Sequence, residues 1–217
     1  MHIDKKMLVL PILIMIAFSI LGFAIAHWSD VIYINGTVHM GSMTLAFKEK
    51  EPPVEYKRLP DGSLDLTEGG KPWVCNTTSY LTGFIKDVHT NKTGYEKLWI
   101  NITNAYPCYE VHQTFILHNI GSVSLDVVDF NITDPTGTLI WVRNTTAIPE
   151  FRGDLVDNST GLEIPIINIK IVDTKFPFQY NPCEENKMEI DIHVKQEAKE
   201  CHTYYFDVGI VYVSEYD

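Results

Sequence analysis

A strict alternation of apolar and polar residues is the feature that most limits how this chain can fold. In residues 187–195 every second side chain is apolar and its neighbours are polar. The apolar positions are Met188, Ile190, Ile192 and Val194. Because successive side chains of a β-strand point to opposite faces, this segment predicts a strand with one buried and one solvated face, as in antiparallel sheets. Residues 98–102 and 128–132 repeat the pattern.

Strand-like segments separated by turn residues occupy most of the chain. They are residues 31–38, 43–47, 80–88, 95–103, 111–117, 125–133, 138–143, 163–172, 188–194 and 203–213. We predict hairpins at residues 91–94 and 119–122, and a long loop over residues 48–71. This series of short strands, without helical periodicity, predicts an all-β fold: an antiparallel, jelly-roll-like β-sandwich.

The first 26 residues predict an export signal. Lys5 and Lys6 precede an apolar run, and Ala24 and Ala26 fit the small-residue pattern of a cleavage site. The open alternative is a retained membrane anchor, because 20 apolar residues can span a bilayer. We therefore divide the chain into a signal peptide (1–26), an N-terminal strand (27–42) and one β-sandwich domain (43–217). The protein is expected outside the cell or at its surface, and any membrane contact is through the signal segment if it is not cleaved.

Seven Asn-x-Ser/Thr triplets support export. They begin at Asn35, Asn76, Asn91, Asn101, Asn131, Asn144 and Asn158. Such triplets are acceptor sites for N-linked glycans in exported proteins. The alternative is that a threonine-rich β protein produces them incidentally.

The four cysteines predict two disulfides in an exported chain. They are Cys75, Cys108, Cys183 and Cys201, and their spacings do not resemble a zinc site. Cys75 and Cys108 lie at equal distances from the centre of the predicted hairpin at Asn91 and Lys92. That symmetry favours a Cys75–Cys108 bridge and leaves Cys183 to pair with Cys201, although four cysteines allow three connectivities.

Catalytic signatures are sparse. The sequence contains no GxSxG, HExxH, P-loop or GxGxxG motif. His112 and His118 fall on one face of a predicted strand, but the sequence indicates no further metal ligands beside them. Residues 61–68 could ligate calcium but lack an EF-hand's length and glycine, and His27 could bind a metal at a processed N-terminus. We predict no catalytic residue, no metal site, no cofactor and no enzymatic activity.

Three segments together resemble a known family. They are WSDVIYINGTVHMGSMTLAF (28–47), NITNAYP (101–107) leading into residues 115–123, and YYFDVGIVYV (204–213). The chain resembles the TasA/camelysin family of secreted β-sandwich proteins, in its archaeal form that includes bundling-pilus subunits. The resemblance implies a subunit of an extracellular filament, a pilus or biofilm-matrix fibre, in which the segment after the signal completes the sheet of the next subunit.

Residues 28–38 are the predicted donor strand. Ile32, Ile34 and Val38 share one face of an extended strand, with Gly36 between them. Added to an open sheet edge, such a strand satisfies main-chain hydrogen bonds and places alternate side chains in apolar sites. The alternative is that this segment is the first strand of its own domain.

Identical subunits are the predicted partners. A net charge of −11 and a pI near 5.1 argue against nucleic-acid binding, because such a chain repels phosphate. No small-molecule substrate is predicted. Two other functions stay open: a monomeric envelope or binding module at the cell surface, and a secreted metalloprotease like camelysin, for which His112 and His118 would be needed.

Overall fold

The structure is a computed structural model, and it describes residue 15 and residues 41–58, 64–65, 75–145, 150–173 and 179–214. The chain divides into two compact units, Met1–His39 and Met40–Asp217. The fold described below belongs to the second unit. The predicted signal peptide, apart from Met15, and the predicted donor segment with Ile32, Ile34, Asn35 and Val38 lie outside the described residues.

Every regular element described from residue 41 onward is a β-strand, and every strand pairing is antiparallel. The strands are β1 (Leu45–Lys50), β2 (Val54–Arg58), β3 (Leu64–Asp65), β4 (Asn76–Lys86), β5 (Thr93–Ala105), β6 (Glu110–Asn119), β7 (Leu125–Thr133), β8 (Leu139–Thr145), β9 (Glu150–Asp157), β10 (Ile164–Asp173), β11 (Gln179–Tyr180), β12 (Glu185–Val194) and β13 (His202–Ser214). The predicted all-β, antiparallel class is confirmed.

Alternating segments match their predictions closely. Residues 125–133 are β7 with the predicted bounds, and the alternating run at 187–195 lies within or next to β12. Strands β9 and β11 were not predicted. The predicted loop at 48–71 is wrong, because it contains part of β1 and all of β2 and β3. Strand β2 forms despite the flanking prolines because it continues along the β6 edge that β1 leaves free.

The strands form one continuous curled sheet. Its hydrogen-bonded path runs β11-β7-β13-β5-β1-β6-β12-β10-β9-β8, with β2 attached to β6, β3 to β2 and β4 to β5. Strand β1 joins the two halves, since Phe47 pairs with Tyr95 of β5 and also with Leu117 of β6. The jelly-roll connection pattern stays a prediction.

The two halves of the sheet enclose one apolar core. Phe130 of β7 meets Phe151 of β9 with ring centroids 5.1 Å apart, and Phe47 meets Phe115 at 5.3 Å. The residues predicted to face inward on β12, from Met188 to Val194, are fully buried. Burying a large apolar side chain contributes about 1.5–3 kcal/mol, so this shared core is what holds the curled sheet closed.

The predicted hairpin between residues 111–117 and 125–133 is wrong. Strand β6 pairs with β1, β2 and β12, whereas β7 pairs with β13 and β11. The connection from β6 to β7 passes from one half of the sheet to the other, and hydrogen bonds of the buried Asn119 fix its path. Its Nδ2 donates to the carbonyls of Val123 (2.8 Å) and Tyr180 (3.0 Å), and its Oδ1 accepts from the Gly121 amide.

Asp87 organises the β4–β5 turn, the hairpin that the sequence does predict. Its Oδ1 accepts the amides of His89 (2.9 Å) and Thr90 (2.8 Å), and its Oδ2 accepts the Thr44 hydroxyl (3.0 Å). Burial opposes ionisation of this carboxyl, but the hydrogen bonds outweigh it and hold the pKa of Asp87 well below its usual range. The ionised carboxylate therefore ties this turn to the start of β1.

We expect Asp87→Ala to destabilise the protein by about 1–3 kcal/mol, because the part-buried donors of Thr44, His89 and Thr90 lose their acceptor. A depressed pKa stabilises the fold above the unfolded value of 3.8 and loses that contribution as the pH falls through the folded pKa. Urea unfolding between pH 2 and 7 checks both points. Asp87→Asn keeps one acceptor oxygen and should be milder, with less loss of stability below about pH 4. Equal acid sensitivity in this variant and the native protein would contradict the assignment.

Candidate assembly surfaces

The sheet has two ends, which the backbone connections define. The Cys183 end comprises residues 41–44, 87–92, 119–124 and 181–184. At this end, Cys183 N donates to the Asn119 carbonyl at 3.0 Å. The Cys108 end comprises Cys75 and residues 105–109, 157–163 and 195–201. At this end, Cys108 N donates to the Val194 carbonyl at 2.8 Å, and Cys201 N donates to the Ala105 carbonyl at 2.9 Å. Strands β6 and β12 run the full distance between these ends.

The chain enters the described domain at the Cys183 end. The Ser42 carbonyl accepts the Ser122 amide (2.9 Å), and the Thr44 carbonyl accepts the Ile120 amide (2.9 Å). Gly121 permits this close approach, because a Cβ there would lie 2.4 Å from the Ser42 oxygen. Ser42, which follows the predicted donor segment by a few positions, is thus bonded to this end of the sheet.

Strand β8 is an open edge of the sheet. It pairs with β9 along one side, and no strand in the described part of the chain pairs with its other side. It opens with four consecutive apolar residues, Leu139 to Val142. Ile140 and Val142 are 48% and 36% exposed, whereas Leu139 and Trp141 pack against the core. Natural sheets usually protect an edge with a charge, a proline or a bulge. Residues 139–142 carry no charge or proline, whereas the second half of β8 has the charged Arg143 and a register shift between Arg143 and Thr145.

Side chains of β8 contact the neighbouring strands β9 and β7. Trp141 lies against Gly153 of β9, where a Cβ would come within 2.5 Å of the indole ring. Arg143 reaches Asp129 of β7 at 2.9 Å and stands over the Phe151 ring. Strand β7 therefore faces this edge through side chains, without pairing its backbone to β8.

A second open edge is β4, which the described strands pair only through β5. This edge differs from β8 in its side chains. Tyr80 stacks on Trp99 of β5 with centroids 4.2 Å apart, and Trp99 stacks less closely on Tyr205 of β13. The aromatic rings thus already contact one another on the outer face, and the exposed Phe84 lies edge-on against Tyr95 with centroids 5.9 Å apart. Residues 77–79 and 82 are threonine or serine. The β4 edge is therefore a poorer match to an apolar strand.

The predicted disulfides are not formed, since all four cysteines are free thiols. The hairpin centre was misplaced: Lys86 pairs with Thr93 and Asn76 with Thr103, so the position opposite Cys75 is Asn104 and not Cys108. Cys183 and Cys201 lie at opposite ends of β12, whose 10 residues span about 30 Å at 3.3 Å per residue. A disulfide needs Cα atoms within about 7 Å, so the predicted Cys183–Cys201 bridge is wrong.

Cys75 differs from the other cysteines in its burial. It is 1% exposed, whereas Cys108, Cys183 and Cys201 are exposed. Burial raises the pKa of the Cys75 thiol to about 11, so it is protonated at neutral pH and a poor nucleophile. It lies beside Tyr109, whose hydroxyl donates to Glu55 at 2.6 Å and contacts Thr77 at 2.8 Å.

The sequon asparagines within the described ranges fall into two groups. Asn76, Asn91, Asn131, Asn144 and Asn158 are exposed. Asn101 is half-buried between β4 and β13, and its Oδ1 is enclosed without a hydrogen-bond partner among the described residues. Asn144 is exposed, but its Nδ2, the atom that would carry a glycan, donates to Asp154.

His112 and His118 do not form a joint site. They are six residues apart on β6, about 20 Å along the strand, and each meets a different carboxylate of β12. His112 Nδ1 lies 2.8 Å from Asp191 and His118 Nδ1 lies 3.8 Å from Glu185. The described ranges contain no group of three or more histidine, cysteine, aspartate or glutamate side chains that could hold a metal ion.

Two further sequence candidates cannot be placed. His27 and, apart from the two residues of β3, the 61–68 loop lie outside the described residues. The part of the chain that the structure describes contains no helix long and apolar enough to cross a membrane.

The opposite environments of the two histidines give a test by NMR titration. The hydrogen bond to Asp191 raises the pKa of His112 above 6.5, whereas burial lowers that of His118 below 6.5. Because the folded value is raised, the His112 contribution to stability is complete below pH 6.5 and is lost as the pH rises through the folded pKa. We expect Asp191→Asn to lower the pKa of His112 and to leave His118 unchanged. Equal shifts in both rings would contradict this pairing.

Glycan occupancy should follow the exposure of each asparagine. In protein secreted by its own host, we expect glycans at Asn91, Asn131 and Asn158, lower occupancy at Asn144 and little at Asn101. The reason is that a transferase needs access to the amide nitrogen. Mass spectrometry of glycopeptides measures each site separately. Occupancy at Asn101 equal to that at Asn158 would contradict this order.

Comparison with known proteins gives no match: none was found to a family model, to a curated protein or to a solved structure. The resemblance to the TasA/camelysin family therefore depends on the three sequence segments alone. Function must be inferred from the residues and the surfaces described above.

Proposed function

We propose that this protein is a secreted structural subunit that polymerises into an extracellular filament, with residues 28–38 of one copy added to the β8 edge of the next. The observation that carries the proposal is the open β8 edge with its four consecutive apolar residues. The resemblance in sequence supports the same assembly and a jelly-roll-like sandwich. The cell-surface module is the competing function, and it predicts a monomer.

The edge and the donor segment match chemically. An added strand pairs its backbone groups with those that β8 leaves free. Ile140 and Val142 would contact alternate side chains on one face of the donor, where Ile32, Ile34 and Val38 lie. Burying those three donor side chains would contribute about 1.5–3 kcal/mol each, before the ordering cost of association.

Chain direction supports an end-to-end order of copies. Strand β1 starts at the Cys183 end, so the donor segment of one copy extends from that end toward its neighbour. Strand β8 starts at the Cys108 end, where Leu139 pairs with Asp157. If the Cys108 end of the next copy faces the donor, the donor runs antiparallel to β8. Antiparallel pairing is the slightly more stable of the two arrangements.

The test is a variant lacking residues 28–38. We expect it to be a folded monomer in analytical ultracentrifugation, to form no filaments in electron micrographs, and to bind a synthetic peptide of residues 28–38. In the full mature chain, Ile140→Lys with Val142→Lys should abolish filaments as well, because both side chains are already exposed and the charges block only an added strand.

The matched control is Val211→Lys, which places the same charge on an apolar residue that is 41% exposed within β13, a strand paired on both sides and away from both ends of the sheet. It should assemble normally. Filaments from the deletion variant, or monomers from the native mature protein at all concentrations, would contradict the proposal, and the latter result would favour the surface module. Filaments from the β8 double variant would assign the acceptor site to another edge.

A further inference from the structure

We propose that Cys183 links copies of this protein covalently, through a disulfide to Cys108 or Cys201 of the next copy. The partner is a second copy of this chain. The end-to-end order of the copies rests on the proposed function, whereas the cross-link itself is a separate property.

Cys183 has no possible partner within its own chain. It precedes β12, while Cys108 and Cys201 lie beyond the other end of that strand. Cys75 lies at the far end as well, next to Tyr109. The separation is about 30 Å, several times the span of a disulfide. In an oxidising exterior, Cys183 is therefore free or bonded to another molecule.

Neither packing nor turn geometry accounts for a cysteine at position 183. The side chain is exposed, so it contributes nothing to the core. Its backbone has φ of 70°, a left-handed conformation that glycine and asparagine adopt more readily. Exposed free thiols are disfavoured on protein surfaces because they react. The thiol itself is the property that distinguishes this residue.

The Cys108 end offers accessible thiols to Cys183. Three cysteines lie at that end, and the cross-link requires that Cys108 and Cys201 do not bridge to each other, because only the buried Cys75 would then be left. Cys75 is buried and protonated, which leaves Cys108 and Cys201 as the accessible pair. Each subunit thus carries a reactive cysteine at both ends of the sheet.

This placement favours a chain over a closed dimer. A bond between unlike ends repeats from copy to copy, whereas a Cys183–Cys183 bond would stop at two copies. Residues 42–44, which follow the predicted donor segment, are also bonded at the Cys183 end to residues 120–123. The end that reaches the neighbour therefore also carries the thiol.

The chemistry needs an oxidant, and we assign that role to a small-molecule or enzyme disulfide outside the cell. The thiolate of Cys108 or Cys201 attacks the oxidant and releases one thiol, leaving a mixed disulfide. The Cys183 thiolate of the adjacent copy then attacks the protein sulfur and releases the second thiol. Two protein thiols are oxidised, one oxidant disulfide is reduced to two thiols, and the S–S bond joins the copies.

The experiment uses filaments from the native host, quenched with N-ethylmaleimide and run on a denaturing gel without reductant. We expect a ladder of multimers that reductant collapses to the monomer. Cys183→Asn, which suits the left-handed backbone, should abolish the ladder, as should Cys108→Ser with Cys201→Ser. Either single serine variant is the matched control and should retain part of the ladder. Peptide mapping should find Cys183 joined to Cys108 or Cys201.

Monomers alone on the non-reducing gel, or a Cys183–Cys183 peptide in place of the mixed one, would overturn the proposal. Electron microscopy of the Cys183→Asn sample separates this outcome from the fate of the proposed function. Filaments without a ladder in that variant support donor-strand assembly and the cross-link together. A ladder without filaments in the native protein would support the cross-link and contradict donor-strand assembly.

Discussion

Backbone pairing between antiparallel strands is the constraint on which the rest of this structure depends. Each strand must satisfy the donors and acceptors of both its edges, and thirteen strands in one curled sheet leave few edges open. At β8, where the pairing stops, the chain presents four consecutive apolar residues on an edge that no other described strand pairs with. The surface proposed for assembly is thus a direct consequence of how the sheet ends.

The two ends of the sheet are built differently. At the Cys183 end, the Asp87 carboxylate accepts hydrogen bonds from Thr44 and Thr90, and Asn119 donates to the Val123 carbonyl and accepts from the Gly121 amide. The Cys108 end carries two exposed thiols, Cys108 and Cys201, and the Cys183 end carries one. In the proposed donor-strand assembly, this hydrogen-bonded point of entry fixes where the donor segment starts. A subunit with unlike ends is suited to growth in one direction.

The histidines illustrate why residue type and spacing alone do not make a site. His112 and His118 share a face of β6, as the sequence predicts, yet each pairs with its own acid on β12. The carboxylates are as far apart as the histidines because β12 follows β6 in register. Their opposite pKa shifts are therefore properties of two separate pairs.

The sequence by itself determined the all-β class, most strand positions and the β4–β5 hairpin, because alternation and turn residues act over a few neighbouring positions. It did not determine which strands pair. The turn at residues 119–122 was mistaken for a hairpin, because the bonds from Asn119 to Val123 and Tyr180 form only in the folded chain. The predicted cysteine pairs are wrong for a related reason. The actual register of the β4–β5 hairpin does not place Cys108 opposite Cys75, and the length of β12 separates Cys183 from Cys201. Edges and distances are decided by contacts between residues far apart in sequence, and only the tertiary structure contains them.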